Sequence, residues 1–222
     1  MRKWILLLPL TLLIFSFDFS GIFSKKTNQV YISKTDGNTL ETTWTIENKS
    51  GGFLIEGKDD ETFSQIYCTK SFIIKKYTFQ SSKENSNYSL SRTDGSLACG
   101  GKVKGKQNQA KLHVGRKKWI QQYMYGLQPF AQSNDSKWYF TTVNPNDFSL
   151  VSMVASKEDV ETLVIGKTSY QAQKIKITLT GMKSMFWSAS IWFDTKTHLC
   201  LRYEGNEGPG TSTTVITYKG EK

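Results

Sequence analysis

The sequence predicts a mostly β protein: a single strongly curved antiparallel sheet, a half-barrel of about 10–12 strands, with one or two short helices against it. Three observations carry this. Apolar side chains recur with period two along nearly the whole chain. Short turn motifs rich in Asp, Asn and Gly separate the runs. Only one stretch has helical spacing.

The chain of 222 residues opens with Arg2 and Lys3 ahead of an apolar run, Trp4 to Phe15, the pattern of an export signal. Ser16 to Ser24 holds no Ala-x-Ala-like pair, so residues 1–24 are read as an export signal peptide or an uncleaved N-terminal anchor, and residues 25–222 as one antiparallel β domain. The expected location is the periplasm or cell envelope.

The strands follow in order. From Thr39 to Glu47, Leu40, Thr42, Trp44 and Ile46 alternate with Glu41, Thr43, Thr45 and Glu47, as a half-buried strand requires. The same period marks Phe53 with Ile55, Tyr77 with Phe79, Ala110 to Val114, Trp138 with Phe140, Val160 to Val164, and Ile175 to Leu179. Met185, Trp187, Ala189, Ile191 and Phe193 read as one face of a long strand, and Leu199, Leu201 and Tyr203 as its partner. Turns are expected at Thr35-Asp36-Gly37, Asn48 to Gly52, Thr93-Asp94-Gly95, Asn144 to Asp147 and Gly205 to Gly210. The one helical pattern is Trp119, Ile120, Tyr123, Met124 and Leu127, about three turns ended by Pro129.

Charge is uneven. Lys and Arg number 29 against 19 Asp and Glu, a formal +10. No acidic residue lies between Asp94 and Asp135, where Lys102, Lys104, Lys106, Lys111, Arg116, Lys117 and Lys118 fall. Read as one strand, Lys102, Lys104 and Lys106 share a face, and Arg116, Lys117 and Lys118 open the helix at its positive dipole end. An anion nearby would compensate that arrangement, and a solvated face selected for solubility is the competing reading. For an exported chain the fitting polyanions are lipid head groups and cell-wall polymer, not nucleic acid.

Chemistry is sparse. An aromatic share of 13% excludes an intrinsically disordered chain. Two histidines and three cysteines exclude most multi-ligand zinc sites. The sequence has no nucleophile elbow, phosphate loop, dinucleotide fingerprint or His-Glu-x-x-His, so no catalytic residue, metal or cofactor is assigned. Asp59-Asp60-Glu61 and Glu158 to Glu161 read as solvated turns, and Cys99-Gly100-Gly101 as a bulge. Among Cys68, Cys99 and Cys200 three pairings are open, and at least one thiol is expected to pack as a small hydrophobe in a strand.

The run Ser169-Tyr170-Gln171-Ala172-Gln173-Lys174-Ile175, then Phe186 to Asp194 and Leu199 to Gly205, resembles the ending of a group of uncharacterised exported bacterial proteins. Trp119-Ile120-Gln121 and Pro129-Phe130 add to the likeness. That group is itself similar to the periplasmic lipoprotein carriers, and the resemblance implies a curved half-barrel closed by helices over an acyl-chain hollow. Phe193 stands where the group tends to Tyr.

The functional expectation is a non-enzymatic binder or carrier of a lipid-like ligand. Trp44, Trp119, Trp187 and Phe193 would line the site, and Lys102, Lys104, Lys106, Arg116, Lys117 and Lys118 would contact head groups or an anionic membrane surface. The alternative is a structural or protein-interaction domain whose core is filled by its own side chains.

Overall fold

A computed structural model describes residues 26–206 and 211–222; the predicted export segment, residues 1–24, lies outside these. Fifteen strands form one sheet. The first eight are β1 (Thr27–Thr35), β2 (Asn38–Lys49), β3 (Gly52–Lys58), β4 (Thr62–Cys68), β5 (Ile74–Ser81), β6 (Ser86–Thr93), β7 (Ser96–Val103) and β8 (Lys106–His113). After the two-residue β9 (Lys118–Trp119) come α1 (Tyr123–Gly126) and α2 (Gln128–Gln132). The chain returns to the sheet as β10 (Lys137–Asn144), β11 (Ser149–Ile165), β12 (Thr168–Leu179), β13 (Ser188–Asp194), β14 (Cys200–Gly205) and β15 (Thr214–Glu221).

Consecutive strands are neighbours in the sheet except β8 and β9, and β1 pairs with β15, so the two meanders join into one order from β8 to β9. Every pair is antiparallel except β9 with β10. No ladder joins β8 to β9 or β10, so the sheet stays open. It nevertheless curls far round: Tyr88 of β6 meets Phe148, in the β10–β11 turn, at 5.9 Å between rings, and the Asn108 amide reaches Asn146 O at 3.4 Å. Three of its turns are two-residue turns with both residues at positive φ: Asp36-Gly37, Asp94-Gly95 and Lys104-Gly105. That geometry matches the right-handed twist of the flanking strands.

The curl leaves an apolar inner surface that water must not reach. The chain fills it with its own helical segment. Met124, Tyr125, Leu127 and Phe130 are buried, packed with Trp44, Ile55, Leu90, Phe140, Ile177 and Ile191 in one core. Tyr125 stacks obliquely on Trp44 at 5.2 Å, and its hydroxyl donates to Gln29 Oε1 at 3.3 Å. Gln29 is buried, so that bond satisfies a polar group that would otherwise be costly. At the other end of the segment, Lys157 Nζ donates to the Ala131 carbonyl at 3.2 Å and to Ser133 O, closing the α2 C-terminus. The β11–β12 hairpin folds back over the outer face, where Ile165 and Gly166 lie beside Ile32 and Val215.

Several sequence expectations need correction. The sheet has fifteen strands because β1, β4, β6, β7 and β15 carry too little apolar alternation to stand out. The helix does not begin at Trp119, which is in β9. Pro129 does not end the helical segment but occupies the first turn of α2, where a missing N–H costs nothing. Arg116 and Lys117 therefore lie in a connection and Lys118 in β9, not at a helix start. Lys102, Lys104 and Lys106 do not share a strand face: Lys102 is near the end of β7, Lys104 in the turn and Lys106 at the start of β8. Met185 and Trp187 precede β13, and Val160 and Val164 are exposed in the distal part of the β11–β12 hairpin, past the bulge between Lys157 and Val160, where the core no longer covers them. Gly100 and Gly101 pair regularly with β6 and make no bulge. Glu158 to Glu161 sit inside β11 rather than in a turn. Cys68, Cys99 and Cys200 are all buried and unpaired.

Gly57 pairs with Trp44, and a Cβ there would fall 2.6 Å from the indole ring. Gly57→Val is expected to cost about 1–3 kcal/mol through overpacking, read as a lower urea midpoint with the m-value unchanged.

Candidate functional site

Because successive strands run in opposite directions, the turns gather at two ends of the sheet. At the end where β1 begins, called here the near end, lie the β2–β3, β4–β5, β6–β7, β8–β9 and β13–β14 connections. The far end carries the β1–β2, β3–β4, β5–β6, β7–β8, β10–β11, β12–β13 and β14–β15 connections. The α1–α2 segment runs down the interior from Tyr123, which lines a far-end cleft of about 600 Å³, to Ser133, which lines a near-end cleft of about 710 Å³.

The near cleft is built from strand ends. Gly95 O accepts N–H bonds from both Val114 and Gly115 at 2.8 Å, which ties the β8–β9 connection to the β6–β7 turn. Arg92 reaches the same connection through Gly115 O at 2.9 Å. That clamp brings Arg116, Lys117 and Lys118 to the cleft, which Arg92 from β6 and Lys75 from β5 also line. Five cations thus face two carboxylates, Asp94 and Asp135. Asp135 accepts from Trp138 Nε1 at 2.7 Å, and Lys118 Nζ lies 4.3 Å over the Trp138 ring. The cleft's potential is positive, and low-dielectric walls strengthen it.

Its floor is apolar: Phe72, Trp119, Ile120 and Pro129 line it. Phe72 adopts φ 55, a conformation disfavoured for a bulky side chain, and is held there by an N–H bond to Thr69 O at 2.9 Å and by stacking on Phe53 at 5.0 Å. The tight turn leaves Ile73, 52% exposed, as a lip of the cleft. A cationic rim over an apolar floor suits an amphiphile with an anionic head and a hydrocarbon body.

The residues singled out in the sequence are divided by the fold. Arg116, Lys117, Lys118 and Trp119 come together in the near cleft, although Trp119 is only 3% exposed and bonds Gln121 Oε1 at 3.2 Å. Lys104 and Trp187 line the far cleft, where Trp187 Nε1 donates to Asn206 O at 2.7 Å. Lys102 and Lys106 are exposed at the far end and line neither cleft. Trp44 and Phe193 also line neither: both are sealed in the core, Trp44 beneath Tyr125. Lys75 and Arg92 were absent from the sequence reading, since each is a lone charge beside a turn; tracing which turns share an end of the meander would have found them.

Reactive groups elsewhere are subdued. Burial pushes the Cys68 thiol up to about 12 and that of Cys99 to about 11, so both stay protonated near neutrality. Burial also lowers the pKa of His198. Among the described residues no group of three or more His, Cys, Asp or Glu side chains is placed to hold a metal ion.

At the clamp, Gly95 has φ 77, and an added Cβ would lie 3.3 Å from the Gly115 Cα. Gly95→Val is expected to destabilise by about 1–3 kcal/mol. Hydrogen exchange should speed up at the Val114 and Gly115 amides before it does in the core strands.

No family model matches the chain, and no curated protein matches it. Among solved structures it is similar to a β-barrel-like protein of the domain of unknown function DUF1849 from Brucella abortus. That similarity has a TM-score of 0.62 and 10% identity, and covers 89% of this chain and 97% of that one. A second neighbour is the hypothetical lipoprotein YmcC from Escherichia coli, at TM-score 0.46 and 13% identity, over 90% of this chain and 93% of that one. The first likeness identifies the fold as that of a bacterial β-barrel-like protein, here an open sheet.

Proposed function

We propose that this is an exported, non-enzymatic protein of the cell envelope that binds a lipid-like molecule with an anionic head group in the near cleft. The observation that carries the reading is the juxtaposition of five cations with an apolar floor in about 710 Å³. That volume lies within the range of about 300–1,000 Å³ usual for small-molecule sites. Lys75, Arg92, Arg116, Lys117 and Lys118 would hold the head group, while Phe72, Ile120 and Trp138 would cover the hydrocarbon. The N-terminal Arg2-Lys3 and apolar run support export.

One observation favours the second reading, an interaction domain with a self-filled core. The α1–α2 segment occupies the interior that a carrier of several acyl chains would need open. The two readings separate on binding.

A fluorescent fatty-acid probe is expected to bind the purified protein at one site. Lys75→Glu combined with Lys117→Glu should weaken it about tenfold or more, since hydrogen bonds to charged groups are worth about 1.5–3 kcal/mol. Lys104→Glu, at the far cleft, should leave the affinity unchanged. No probe binding, together with no lipid in an organic extract of the protein, would leave the self-filled domain as the surviving reading.

A further inference from the structure

The alternation that places the clefts also sorts the charges of the turns. At the near end the connections carry Lys70, Arg116, Lys117 and Lys196 against Asp94 and Asp135. At the far end Asp36, Asp59, Asp60, Glu61, Glu84 and Asp147 outnumber the lysines. At the strand termini Lys26, Lys49 and Lys137 add to the near end against Glu47, Asp194 and Glu221, while Lys34, Lys58, Lys102 and Lys106 add to the far end. With Lys75, Arg92 and Lys118 of the cleft, the near end is net positive, whereas the far end is close to balanced. Ile73 is exposed in a turn at the near end, and Tyr67 and Tyr139, the latter 70% exposed, stand close to it on β4 and β10. Exposed aromatic and aliphatic groups among cations are the composition of a membrane–water interface.

The chain's connectivity gives an independent reason. β1 starts at Thr27 at this same end, so the apolar run Trp4–Phe15 joins the fold at its basic pole. Ten residues separate Phe15 from Lys26, a span of at most about 35 Å. A retained anchor would hold the near end, not the far end, against the bilayer.

We infer that the near end is a docking face for an anionic lipid bilayer, with the mouth of the near cleft turned toward the head groups. This goes beyond the cleft's proposed ligand and does not require the cleft to be filled. Each cation brought to an anionic surface contributes about fivefold to the docked fraction at moderate salt. The competing surface is the far-end turn with Met182, Met185 and Phe186 exposed, but the acidic turns around it offset the lysines there and leave little net charge to draw an anionic bilayer.

The experiment labels the purified protein with a fluorophore at Lys196→Cys on the near end or Asp60→Cys on the far end. The native cysteines are buried and leave the labelling selective. Each sample is mixed with vesicles of phosphatidylcholine, with and without phosphatidylglycerol, that carry a lipid-bound quencher. The expected result is quenching at Lys196→Cys and not at Asp60→Cys, dependent on phosphatidylglycerol and reversed by salt. Lys137→Glu with Lys70→Glu should lower the docked fraction about tenfold or more, at roughly fivefold per cation. Quenching at the far label, at both labels equally, at neither, or independent of anionic lipid would overturn the inference. The soluble fatty-acid probe measures the cleft separately: Lys137→Glu lies outside its lining and should not change probe affinity, so a failed docking face and a failed cleft give different results.

Discussion

A curled sheet with an apolar inner surface is unstable until something covers that surface, and this constraint organises the molecule. The sheet does not close on itself, so edge pairing cannot seal it. The cover is the seventeen-residue return between β9 and β10, whose helices α1 and α2 are far too short to persist alone. They exist because Met124, Tyr125, Leu127 and Phe130 are buried against the strands. Gln29 at one end and Lys157 at the other hold the segment by its polar groups.

That cover is thin, and its thinness makes the clefts. A segment of two single-turn helices occupies the middle of the interior and leaves space at both ends of the strands. What distinguishes the two spaces is the chemistry of the turns that frame them. Near the β1 start, basic connections surround an apolar floor; at the far end, asparagines and a single Lys–Glu combination, Lys104 and Glu84, frame a more neutral cleft. The same up-and-down topology that builds the sheet therefore also polarises it.

Backbone at positive φ frames the basic cleft, as it does far-end turns such as that of Phe148. Phe72 is held at positive φ within it, and Gly95, also at positive φ, lies where a Cβ would stand 3.3 Å from the Gly115 Cα. Residues in such conformations persist only where their surroundings over-determine them. Here the Gly95 carbonyl, the Arg92 guanidinium and the Phe53–Phe72 stack supply that surrounding.

Much of the fold was legible in the chain. Period two in Leu40 to Ile46 and in Ile175 to Leu179, with Asp-Gly turns at 36–37 and 94–95, sets strand direction and hairpin geometry through local sterics alone. The Lys104-Gly105 turn escaped because lysine rarely adopts positive φ, so three lysines at spacing two read as one strand. Pro129 was ambiguous because the same residue stops one helix and starts another. The sequence by itself determined the β class, the basic excess and the place of the helical segment, since these depend on side-chain pattern and composition over a few residues. Only the tertiary structure decided that Arg116 to Lys118 meet Lys75 and Arg92 while Lys102 and Lys106 stand at the opposite pole. The reason is that strand direction sends a one-dimensional run of charge to opposite ends of the sheet.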